Sequence, residues 1–78
     1  MNQCIINVVD KSVFVAFNQI VEKGIIEIWS IKDSDKPLAK KKFINTNFEN
    51  MILPYGKGKY RLEIEIDGQL ISKTISIN

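Results

Sequence analysis

The 78-residue chain predicts an all-β domain, a sandwich or small barrel of about seven antiparallel strands. Short apolar segments recur about every ten residues, each bounded by polar or Gly/Pro-bearing turn chemistry. Helical periodicity is nowhere sustained. The stretch from Gly58 to Ile77 reads as a β-hairpin: Tyr60, Leu62, Ile64 and Ile66 alternate with Arg61, Glu63 and Glu65, the period of a strand with one dry face and one wet face.

The first expected strand, Gln3 to Val9, offers apolar area on both faces through Ile5, Ile6, Val8 and Val9. Asp10-Lys11 separates it from Ser12 to Phe17, where Val13, Val15 and Phe17 share a row. Asn18 to Gly24 reads as a loop, its six residues before Gly24 being too few for a stable helix. In Ile25 to Ile31, Ile26 and Ile28 face inward and Glu27 outward. Trp29 shares the parity of Glu27, so its indole should pack under a loop or cover the outer side of the sheet. The acidic turn Asp33-Ser34-Asp35-Lys36-Pro37 leads to Leu38 to Ile44, whose Lys40, Lys41 and Lys42 mark an exposed edge that discourages pairing between sheets. Asn45-Thr46-Asn47 reads as a turn before Phe48 to Leu53, and Pro54 to Gly58 as the connection to Lys59 to Ile66. Asp67-Gly68 tolerates the positive φ angles of a type I′ turn and hands the chain to Gln69 to Ile77. That turn sets a register: Ile66 opposite Gln69, Ile64 opposite Ile71, Leu62 opposite Lys73 and Tyr60 opposite Ile75. Lys73 then points inward, and its stem should snorkel to a sheet edge.

A chain this short, residues 1–78 as one domain, buries only about 60% of the surface its unfolded form exposes. The apolar fraction of 45%, rich in isoleucine and valine, still permits a modest core without metal or disulfide. Cys4 is the one cysteine, read as a small buried hydrophobe of the first strand. Eleven basic residues against nine acidic give +2, too weak and dispersed to imply a nucleic-acid partner. No run approaches the roughly 20 apolar residues of a membrane span. Met1-Asn2-Gln3-Cys4 lacks the basic start and apolar core of a signal peptide, which fits either a cytosolic protein or a mature form with an added Met1.

Catalytic chemistry finds little to stand on, and the chain is read as a non-enzyme without metal or cofactor. Histidine is absent, which removes the commonest general base and transition-metal ligand. With a single cysteine, zinc and iron–sulfur sites lack ligands. Glu63 and Glu65 share a strand face, but with Arg61 they describe a solvated surface rather than an acid–base pair. Asp33 and Asp35 lack the downstream Gly and Glu of a calcium loop. Gly56-Lys57-Gly58 lacks the Ser/Thr and following helix of a phosphate cradle. Around Trp29, Tyr55 and Tyr60 no alternating basic and aromatic residues share a strand face, so no base-stacking platform is expected. Tyr60, two residues after Gly58 at a strand start, fits a tyrosine corner whose hydroxyl bonds to upstream backbone and so satisfies a buried polar tip. Tyr60, Leu62, Ile64, Asp67 and Gly68 are accordingly structural residues.

Ile26-Glu27-Ile28-Trp29-Ser30, an acidic turn with Pro37-Leu38, Gly58-Lys59-Tyr60-Arg61-Leu62-Glu63-Ile64 and the Asp67-Gly68 turn with its terminal strand resemble the small immunoglobulin-like domains of Bacteroidetes secreted and surface proteins. Two families share this outline: short exported immunoglobulin-like proteins of unassigned function, and the C-terminal sorting domain of type IX secretion cargo. The resemblance covers about two-thirds of the chain, from Ser12 onward, in motifs that many sandwiches share. It implies an immunoglobulin-like antiparallel sandwich of about seven strands; the strand pattern itself leaves a small OB- or SH3-like barrel as the alternative. The resemblance also implies a secreted, periplasmic or cell-surface location and a non-catalytic interaction or accessory role, with a sorting domain as the alternative, and an intracellular or phage-type binding module stands apart from it as a second alternative. Contact with a protein partner, or self-association, is expected through an unblocked edge strand, with Ile5 and Val8 of the first strand as candidate contacts.

Overall fold

A computed structural model describes residues 4–32, 35–53 and 56–78. Gln3, the Asp33-Ser34 part of the acidic turn and Pro54-Tyr55 lie outside the described residues. The chain is all-β: β1 (Cys4–Val9), β2 (Ser12–Ser30), β3 (Ala39–Ile52), β4 (Gly58–Ile66) and β5 (Gln69–Ile77) form one five-stranded antiparallel sheet. β1, β2, β4 and β5 follow in that order, and β3 lies along the other side of β2.

The seven expected segments are therefore five strands, a correction with one cause. Ser12 to Phe17 and Ile25 to Ser30 belong to the single strand β2, and Ala39 to Ile44 joins Phe48 to Ile52 as β3, the expected ends Ile31, Leu38 and Leu53 falling just outside. The two expected loops between them lie side by side and bend together. Pairing jumps from Ala16↔Phe48 to Val21↔Thr46, leaving residues 17–20 of β2 against Asn47 alone, so the bulge adds length to one strand and curls both. Asn45 supplies the matching kink in β3 at φ +48°, where asparagine is tolerated. The Thr46 hydroxyl holds it, donating to the Phe48 carbonyl at 2.8 Å and accepting from the Phe48 N–H at 3.2 Å.

The bend divides the sheet. The first part of β2 lies between β1 and the second part of β3; its later part lies between the first part of β3 and β4, with β5 beyond. Inward residues change parity across it, from Val13, Val15, Phe17 and Val21 to Ile26 and Ile28. They enclose one core with Phe43, Leu53, Leu62, Ile64, Ile66, Ile75 and Ile77. Phe17 and Phe43 stack across the bend with ring centroids 5.6 Å apart. Gly24, read as a loop residue, sits within β2 between Phe43 and Ile66, and only a hydrogen fits there.

The hairpin takes the expected register, with Ile66↔Gln69, Ile64↔Ile71, Leu62↔Lys73 and Tyr60↔Ile75. Asp67 at φ +49° and Gly68 at φ +77° make the two-residue turn. Lys73 is exposed although its row faces inward, because β5 is an edge from which its stem reaches water.

Candidate interaction surface

The two sides of the bend present different outer faces. Beyond it, β2, β3 and β4 carry Glu27, Lys40, Lys42, Arg61, Glu63 and Glu65 outward. Trp29 lies in this face half-buried, with the Arg61 guanidinium 5.2 Å from its ring centroid, so the indole covers the outer side of the sheet beneath a cation. Its Nε1–H is buried without a partner among the described residues. Arg61 Nε lies 3.0 Å from Glu63 Oε2, an ion pair in which the N–H is not aimed at the carboxylate. Glu63 is thereby committed to a cation, and Glu65 is exposed. The lysine run alternates: Lys40 and Lys42 point out, while Lys41 turns inward across the curl of β3 to Glu49 at 2.9 Å and to the Asn50 carbonyl at 3.0 Å.

Before the bend the described rows of the outer face hold no charged side chain, and Lys40 and Lys41 border them at Asn50 and Ile52. The rows are Ile5, Ala16 and Phe48; Asn7, Phe14 and Asn50; and Val9, Ser12 and Ile52. Ile5 is 66% exposed, Val9 58%, Phe48 49% and Ile52 70%, and Phe14 stacks on Phe48 with centroids 6.1 Å apart. Sequence reading named Ile5 and Val9 of this surface and missed Phe14, Phe48 and Ile52 beside them. The signal was available in the charge distribution: Cys4 to Val9 and Ser12 to Phe17 carry no charge, and Glu49, alone in Phe48 to Ile52, faces inward.

This face ends at the edge of β1, which pairs with β2 alone among the described strands and comes near β5 without pairing to it. Val9↔Ser12 closes a two-residue turn as a hydrogen-bonded pair, so Ile5, Asn7 and Val9 spend their main-chain groups on β2 while Cys4, Ile6 and Val8 turn theirs to the free edge. Of the candidate contacts, Ile5 offers its side chain. Val8 packs half-buried against the core with Ile6, so the apolar side chains of β1 divide between a largely covered inner face and an exposed outer one. Cys4 also packs half-buried against the core; burial raises its thiol pKa above the ordinary 9.0, partly opposed by the Lys73 charge.

The structural residues fall on β4 and its turn. Leu62 and Ile64 are fully buried, and Asp67 and Gly68 form the turn. The Tyr60 hydroxyl donates to the Gly56 carbonyl at 2.6 Å in an exposed position, which commits the first glycine of Gly56-Lys57-Gly58 to the fold. Among the described residues no three His, Cys, Asp or Glu side chains cluster to hold a metal ion, and no helix is long and apolar enough to cross a membrane. No protein-family model and no curated protein matches the chain.

Proposed function

We propose that this chain is a non-catalytic interaction domain acting by surface contact. The observation that carries the reading is the uncharged outer face of β1, β2 and β3, which continues to the open β1 edge: apolar surface and unpaired main chain meet in one place, as contact sites for other chains require. The single curled five-stranded sheet supports the small OB- or SH3-like barrel outline, while the place of β4 between β2 and β5 is the feature that agrees with an immunoglobulin-like sandwich. Resemblance to exported Bacteroidetes domains supports a secreted, periplasmic or cell-surface accessory role. The Gly58-Lys59-Tyr60 start and turn-strand ending also fit a type IX sorting domain; secretion of a reporter fused ahead of the chain would favour that alternative.

A photo-crosslinking amino acid in place of Ile5 tests the contact reading in the native host, with Glu65, exposed on the charged face, as the control position. Discrete adducts from position 5 and none from position 65 are expected. No adducts from position 5, or the same pattern from both positions, would sink the reading.

A further inference from the structure

We infer that the uncharged outer face binds a second copy of this chain, the two faces stacking about a two-fold axis; this rests on the surface-contact reading and names its partner. The pattern of the face is the ground for it. Phe14 is central, Asn7 and Asn50 flank it, and large apolar side chains occupy the corners. A two-fold axis along β2 lays Phe14 on its own counterpart, Asn7 over Asn50 of the second copy, Ile5 over Phe48 and Val9 over Ile52. A two-fold axis across the strands lays Ile5 over Val9, Phe48 over Ile52 and each asparagine over itself. The first operation matches like to like throughout and the second does so except for Ala16, which it lays over Ser12; both correspond to the aligned packing of two sheets about 10 Å apart. A diagonal axis would set Asn7 over Ala16 and break the match.

Charge argues for the same occupant. Lys40 and Lys41 stand at the β3 border of this face beside Asn50 and Ile52, Lys41 already held by Glu49, so an acidic or nucleic-acid partner finds no cation at its centre, and a charged protein surface would lose hydration there without compensation. A second copy brings no charged side chain in its own nine positions. The area is adequate as well: Ile5, Val9, Phe48 and Ile52 expose on the order of 100 Å² of apolar surface each, about half of the ~800 Å² that one partner contributes to a standard interface. Phe14, Ala16 and the polar positions supply much of the remainder. Because the contact uses the same patch on both copies, it closes as a dimer and does not propagate into a filament.

Sedimentation equilibrium on the full chain, from about 1 μM to 1 mM, tests this with wild type, Ile52→Lys and Leu70→Lys. Ile52 is 70% exposed in the face and Leu70 is 62% exposed on β5 outside it, so both lysines leave the core intact. Wild type should dimerise within this range, Ile52→Lys should raise the dissociation constant by about 100-fold or more, and Leu70→Lys should change it by less than about threefold. Should circular dichroism show Ile52→Lys unfolded, Ile5→Lys takes its place. Wild type that stays monomeric at about 1 mM, or two variants that weaken the dimer alike, would overturn the inference. The position-5 crosslink separates the two ideas: adducts of twice the chain's mass support the second copy, whereas adducts of other masses with a monomeric wild type overturn it and leave surface contact standing. Absence of any adduct removes both.

Discussion

At Gly24 a missing side chain sets the distance between three strands. A Cβ built there would enter the Phe43 ring and lie 2.9 Å from the Glu65 carbonyl oxygen, which the β2–β4 pairing holds in place. Gly24→Ala should therefore cost about 1–3 kcal/mol as overpacking, read from urea unfolding. A loss under about 0.5 kcal/mol would show that Phe43 and Ile66 move aside without penalty. Tyr60→Phe removes the hydroxyl donor to Gly56, and because that bond meets solvent the expected cost is near the lower bound for a hydrogen bond, about 0.5 kcal/mol. Cys4 links stability to pH. Its folded thiol pKa lies above the unfolded value, so the native state binds the proton more tightly; the stability this gives is present below about pH 9 and falls as pH rises through the folded pKa. Denaturation between about pH 7 and 10 should show a shallower decline for Cys4→Ala than for wild type, and parallel curves would count against the burial of this thiol.

Elements differ in how far sequence alone defined them. The β4–β5 hairpin was readable to the pairing of single residues because Asp67-Gly68, the Tyr60-to-Ile66 alternation and the β5 pattern all demand one register. The bend in β2 and β3 was not. Asn45-Thr46-Asn47 has turn composition, and asparagine with positive φ serves a chain reversal and a kink within a strand equally well. What distinguishes them is the bulged strand alongside, a long-range partner that local composition does not encode. If Asn45 is the hinge of β3, Asn45→Gly should be neutral or slightly stabilising, while Asn45→Val, forced to the same φ, should cost about 1–2 kcal/mol. Equal stability of the two variants would mean that the kink does not require a left-handed residue.

Across the whole molecule, the inward rows and the charged outward row were legible, and the apolar outward rows that join β1, β2 and β3 were not. Val13, Val15, Ile26, Ile28, Leu62 and Ile64 announce a core by alternation, but the importance of Ile5, Phe48 and Ile52 comes from adjacency across strands far apart in sequence. The core also joins the two sides of the bend. Leu53, whose N–H donates to the Lys11 carbonyl at 2.8 Å, closes the end before the bend, and Leu62 lies beyond it; both are fully buried. Since β2 and β3 run unbroken through both sides, neither can unfold while the other stays paired, so the domain should unfold in one step. Leu53→Ala and Leu62→Ala should each cost about 2–5 kcal/mol, and each should shift the same transition. Trp29 fluorescence reports the charged side and far-ultraviolet circular dichroism reports the whole sheet. If Leu53→Ala lowers the dichroism midpoint but leaves the Trp29 midpoint in place, the two sides are separate folding units, and the bend is a hinge between them rather than a corner of one core.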